Sequence, residues 1–133
     1  GIGIDIVQIS KFDREVYAPD PDDYLRYHFS MKEIEIVDAR RTENKAPLYA
    51  ARWAAKEAFI KAISAPALHQ PKLGISRIDF REIQILSDMH ERPYIELIGD
   101  VLEYCEKKEM EKIQVSMSHD GDYAIAMVTI EAK

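Results

Sequence analysis

Glu57 and Lys61 stand four residues apart in a stretch, Arg52 to Ala62, that with Arg52 and Lys56 clusters four charged groups among otherwise small and apolar residues. On a helix that spacing puts the carboxylate and the ammonium on one face. Asp5 is the second unusual charge, because it interrupts a short glycine-rich apolar run, where a carboxylate has poor strand propensity and risks desolvation. A cation beside it resolves that cost. If Asp5 and Glu57 converge, they offer two hard oxygen ligands, the partial shell Mg²⁺ takes while keeping waters and accepting phosphate oxygens, and Lys61 faces the same phosphates. Each residue also has a plain structural explanation. Glu57 and Lys61 make an ordinary surface pair worth a few tenths of a kcal/mol, and Asp5 is a strand-end carboxylate or the partner of a core arginine. The residues alone leave both explanations open.

His119 follows Val115-Ser116-Met117-Ser118 at the end of a strand pattern, where an imidazole either bonds backbone or meets a phosphate. Gly1-Ile2-Gly3 is no dinucleotide fingerprint, since no third glycine and helix start follow at the required spacing.

The elements that must carry these groups are legible from periodicity. Gly1 to Val7 alternates as a half-buried strand does, with Ile2, Ile4 and Ile6 on one face and Gly1, Gly3 and Asp5 on the other. Ser10 before Asp13 and Ser30 before Glu33 have the spacing of capping boxes, predicting helices from Lys11 and Met31 with a short helical turn between. Pro47 to Ile63 has no internal glycine or proline and is rich in alanine, which predicts a long helix. An irregular loop spans Ser64 to Ser76. Ile78 to Leu86 and Tyr94 to Ile98 form strands joined across Ser87 to Pro93, a helix covers Asp100 to Met110, and Lys112 to Ser118 and Tyr123 to Ile130 form a hairpin around Asp120-Gly121-Asp122. The order β-ααα-ββ-α-ββ predicts an α+β domain with a largely antiparallel sheet packed against the long central helix.

With 133 residues, 47% of them apolar, the chain fits one domain, residues 1–133, with one sizeable core. A net charge of −6 argues against nucleic acid and anionic membrane as partners. No apolar run reaches membrane-spanning length and no export signal is read at the start, so a cytoplasmic location is expected. Cys105, the single cysteine, falls on the apolar stripe of a predicted helix and reads as a buried structural thiol. Lys11, Arg14, Arg26, Arg40, Arg41 and Lys45 concentrate positive charge in the first third.

Three segments together carry a family resemblance. Gly1-Ile2-Gly3-Ile4-Asp5-Ile6-Val7 resembles the opening strand of the holo-acyl-carrier-protein synthases, the small 4′-phosphopantetheinyl transferases. Arg52 to Ala62, through Lys56-Glu57-Ala58 to Lys61, is similar to their central-helix signature, and Val115 to His119 followed by Tyr123-Ala124-Ile125-Ala126 to their C-terminal hairpin. The resemblance implies that fold, and transfer of 4′-phosphopantetheine from coenzyme A to a serine of an apo acyl carrier protein, releasing adenosine 3′,5′-bisphosphate, in fatty acid biosynthesis. It implies Asp5 and Glu57 as Mg²⁺ ligands, with both and Lys61 catalytic, Lys61 on the phosphates, and Arg52 and His119 on coenzyme A near its 3′-phosphate. It implies a homotrimer with each active site shared between neighbouring subunits. The chain departs from the family at Ala65-Pro66-Ala67, where a glycine-rich segment is expected beside the adenine. Lys11, Arg14 and Arg26 are the docking candidates for an acidic carrier. Rival expectations are the same transferase serving a multifunctional fatty acid synthase, a non-catalytic coenzyme A binding protein on this fold, and an unrelated Mg²⁺-dependent phosphohydrolase.

Overall fold

A computed structural model describes residues 1–64 and 78–132. Strand β1 (Ile2–Gln8) runs directly into α1 (Ile9–Phe12), which continues as one wider turn through Asp13–Tyr17. Helices α2 (Pro21–His28), α3 (Met31–Asp38) and α4 (Ala46–Ser64) follow. A 3₁₀ turn at Phe80–Glu82 leads into β2 (Ile83–Ser87), then β3 (Pro93–Leu97), α5 (Gly99–Lys107), β4 (Met110–Asp120) and β5 (Tyr123–Ala132). The α+β class is as expected. Among the described residues the strands form two sheets, one ordered β1-β5-β4 and one pairing β2 with β3, and every pairing is antiparallel. Among the described residues no helix is long and apolar enough to cross a membrane. The loop expected over Ser64 to Ser76 lies outside the described residues, apart from Ser64, which ends α4.

The two capping-box motifs behave differently. At α3 the box is complete: Glu33 N–H donates to Ser30 Oγ and Ser30 N–H to Glu33 Oε1. At α1 the helix starts at Ile9 with no side-chain cap, earlier than the motif predicts. Ser10 instead gives both its backbone N–H and its hydroxyl to the Asp122 carboxylate, fastening α1 to the β4–β5 turn. That turn passes through Gly121 at φ 57°, a conformation favouring glycine. Strand β2 begins at Ile83, later than predicted, because Asp79 accepts from Arg81 N–H and caps the 3₁₀ turn.

Helix α4 separates two hydrophobic clusters. One gathers Phe59, Ile63, Ile83, Ile85, Val101, Val128 and their neighbours under β2, α5 and the three-stranded sheet. The other gathers Phe12, Tyr24, Phe29, Val37 and Tyr49 under the first three helices. Alanines at 50, 51, 54, 55, 58 and 62 are all buried, and their small side chains let neighbouring elements close on the α4 backbone.

A close approach of backbones decides which face of β1 is buried. The isoleucine face is the outer one, with Ile2, Ile4 and Ile6 at 61%, 54% and 63% exposure, whereas Gly3 is buried. A Cβ built on Gly3 would lie 2.7 Å from Ala62 N and 2.9 Å from Ala58 C, with the Ala58 carbonyl oxygen nearer still. Only hydrogen fits there, so Gly3 brings β1 onto α4. The alternation is real and Asp5 does point away from the isoleucines. The buried half is the glycine and aspartate half.

Candidate active site at the crossing of β1 and α4

Because Gly3, Asp5 and Val7 share the face of β1 toward α4, the Gly3 contact carries Asp5 to the exposed edge of the helix that bears Glu57 and Lys61. Lys61 Nζ donates to Asp5 Oδ1 at 2.9 Å and to Ile4 O at 3.1 Å. Glu57 is half-buried, and its carboxyl is pushed above its ordinary range, first by desolvation, then by the charge of Asp5, against the opposing pull of Lys61. Glu57 also helps push the Tyr24 hydroxyl up, after burial itself. The structure thus brings Asp5, Glu57 and Lys61 together.

Mutual repulsion of two carboxylates, only partly offset by one lysine, is a donor set that a divalent cation relieves. Among the described residues no group of three or more His, Cys, Asp or Glu side chains is gathered as a metal site. Two carboxylates therefore fit Mg²⁺, which completes its octahedron with waters and substrate phosphates, and do not fit a dedicated all-protein cage.

The other two predicted site residues stand apart from this group within one chain. Arg52 is 3% exposed, donates from its guanidinium to Leu48 O at 3.2 Å, and leaves its buried Nε without a partner among the described residues. It lies near Arg40 and Tyr49, and burial first, then Arg40, lowers its pKa. His119 is exposed and pairs with Ala124, which pairs with Val7. It is two strand spacings from β1, on the order of 10 Å from the Asp5 strand.

Two features went unread in the sequence. Trp53, one turn before Glu57, packs against Phe80 at 4.7 Å and His28 at 5.3 Å between ring centroids. With Ile6, Lys11, Phe12 and Tyr123 it lines a groove of about 410 Å³. Its i−4 spacing from Glu57 was the available signal. The second is the partner of Lys56: about 100° around the helix from Glu57, its ammonium is fully buried and bonded to Glu33 at 2.7 Å.

Comparison with known proteins places this geometry. Residues 1–128 match the 4′-phosphopantetheinyl transferase superfamily. The chain belongs to that superfamily. Within it, the full-length likeness is to the holo-[acyl-carrier-protein] synthases: that of Treponema denticola is 34% identical over 131 residues, spanning 98% of this chain and 97% of the relative. The Nocardia farcinica enzyme is 36% identical over 132 residues, spanning 98% and 86%. Among solved structures, a Chronobacterium ammoniagenes ACPS–CoA complex superposes with a TM-score of 0.87 at 32% identity, covering 100% of this chain and 97% of that one. The Mycobacterium tuberculosis acyl carrier protein synthase gives 0.74 at 34% identity, with 100% and 97% covered.

Proposed function

We propose that this chain, as one transferase domain over residues 1–133, moves 4′-phosphopantetheine from coenzyme A to a serine hydroxyl of an apo acyl carrier protein and releases adenosine 3′,5′-bisphosphate. The observation that carries the reading is the convergence of Asp5, Glu57 and Lys61 in a chain whose full length matches the holo-[acyl-carrier-protein] synthases. The serine oxygen forms a new bond to the phosphorus that bears pantetheine, and the bond from that phosphorus to the bridging diphosphate oxygen breaks. Asp5 and Glu57 would hold Mg²⁺, whose charge, when bound, would offset that of the phosphate oxygens. Lys61, with its ammonium fixed between Asp5 and the Ile4 carbonyl, is placed to stabilise the leaving phosphate. Asp5 in turn orients Lys61.

Arg52 and His119 are proposed to meet the 3′-phosphate end of coenzyme A. In one chain they lie away from the carboxylates, which suits a long ligand spanning a site completed by a neighbour. The outer face of the three-stranded sheet supports a homotrimer, because Ile2, Ile4, Ile6, Ile125 and Met127 form an exposed apolar surface that a monomer would leave in water. Lys11, Arg14 and Arg26 are exposed and offer local positive charge to an acidic carrier despite the net −6. Reversing their charges should weaken carrier affinity at low salt, and an unchanged affinity would move the docking face elsewhere. The free, buried thiol of Cys105 agrees with a cytoplasmic workplace.

The test is direct. The protein is incubated with coenzyme A, Mg²⁺ and apo acyl carrier protein, and the carrier is weighed by mass spectrometry. A gain of one phosphopantetheine supports the transferase; hydrolysis of coenzyme A with an unmodified carrier, or binding without turnover, overturns it.

A further inference from the structure

Lys56 precedes Glu57 in the chain but projects about 100° away from it around α4, into the core. Its ammonium is fully buried and donates to Glu33 Oε1, Phe80 O and Ile83 O, each at 2.7 Å, with the Phe29 ring 4.7 Å away. All three of its protons are used. The Glu33 carboxylate is equally committed: Oε1 also accepts from Ser30 N–H and Oε2 accepts from Ile85 N–H, both at 3.0 Å. One buried ion pair therefore ties together the start of α3, the 3₁₀ turn, β2 and α4.

The opposite side of α4 has no comparable marker. There Ala58 and Ala62 meet Gly3 by close backbone contact, which sets how near α4 comes to β1 but involves no charged group. A helix turned from its observed setting would strand a buried ammonium and a buried carboxylate, which is strongly unfavourable. Compared with apolar side chains of similar volume, however, such a pair contributes little or no net stability.

We propose that the Lys56–Glu33 pair is a positioning device, dispensable for folding, that fixes the rotation of α4 so that Glu57 and Lys61 face Asp5. The inference rests on the reading of that site given above. It assigns Lys56 and Glu33 no contact with substrate.

The test replaces both partners together, Glu33→Leu with Lys56→Met, so that neither charge is left alone. A second pair, Glu33→Gln with Lys56→Met, keeps an acceptor for the Ser30 amide. Denaturant midpoints, kcat, KM for coenzyme A and the Mg²⁺ concentration giving half-maximal rate are measured beside the wild type. The expected result is a folded protein with a midpoint lowered by the backbone groups left unpaired at Phe80, Ile83 and Ile85, kcat reduced at least about tenfold, KM for coenzyme A little changed, and a Mg²⁺ requirement raised about tenfold. A folded double variant with wild-type kcat and Mg²⁺ requirement overturns the proposal. So does failure of both pairs to fold, because the ion pair would then be holding the fold itself. If the wild type transfers no phosphopantetheine, the functional reading falls first, and the control separates that outcome from the other two.

Discussion

Adding one methyl group at Gly3 should damage the active site without touching any residue in it. In Gly3→Ala the new Cβ would meet Ala62 N at 2.7 Å and Ala58 C at 2.9 Å, with Ala58 O closer. Ordinary carbon contacts begin near 3.5 Å, so β1 and α4 must separate by about 1 Å or more. The obstacles are backbone atoms of a buried helix, which no side-chain rotation can clear. Overpacking of this kind costs about 1–3 kcal/mol, which lowers the midpoint of urea unfolding by roughly 1 M at an m-value of about 2 kcal/mol/M. The larger effect falls on turnover. Asp5 is two residues along the same face of β1, so the displacement is passed to its contact with Lys61 at 2.9 Å. A misplacement of about 1 Å costs about 10²-fold in rate. The assay is carrier modification followed by mass, on protein shown to be folded by circular dichroism, with Gly1→Ala, at an exposed position, as the control. Wild-type turnover and midpoint in Gly3→Ala would refute the close-approach reasoning, and with it the claim that Gly3 sets the position of Asp5.

Glu57→Ala and Lys61→Ala should each lower turnover by roughly 10²-fold or more in protein that remains folded, the usual scale for one charge-stabilising group; near-normal turnover of Glu57→Ala with Mg²⁺ rejects the metal assignment. Ile4→Asp places a charge at the centre of the outer sheet face, so light scattering at micromolar concentration should change from a trimer to a monomer, and a wild type that is already monomeric counts against the shared site. Burial pushes the Cys105 thiol up to about 11. At pH 8 its thiolate population is then about 10²-fold below that of an ordinary cysteine, and thiol reagents should label it only after unfolding. Since the folded-state value lies above the unfolded one, this group's contribution to stability is complete below about pH 9 and is lost as pH rises towards 11; Cys105→Ala should flatten that part of the midpoint-against-pH curve.

The sequence made the period of β1 plain but not its polarity. Three alternating isoleucines are ordinarily a core face, and here they point out because the helix on the other side demands glycine. What tells the two apart is the backbone-to-backbone approach of two segments more than fifty residues apart, which no local pattern encodes. The two serine motifs make the same point: Ser30 finds Glu33 as written, whereas Ser10 is drawn to Asp122 at the far end of the chain. Glu57 and Lys61 were readable because one turn of helix relates them, and the cost of Asp5 was readable as a demand for a cation, which Lys61 meets. Lys56 gave no such cue. Its partner is Glu33, whose side chain already had an apparent purpose as half of a helix cap, and its other acceptors are carbonyls that carry no sequence signal.

Strand β1 hydrogen-bonds to β5, so Asp5 lies opposite Ala126 and the first strand of the chain is completed by the last. Closing so long a loop costs chain entropy that nearby contacts do not share, and pairings of this separation form late. During synthesis the β1 strand must therefore wait, unpaired along that edge, until β5 has left the ribosome. The helices and the β2–β3 hairpin can assemble in the meantime. In refolding, helical signal should return first and transfer activity last, with the rate of the second set by the capture of β1 by β5.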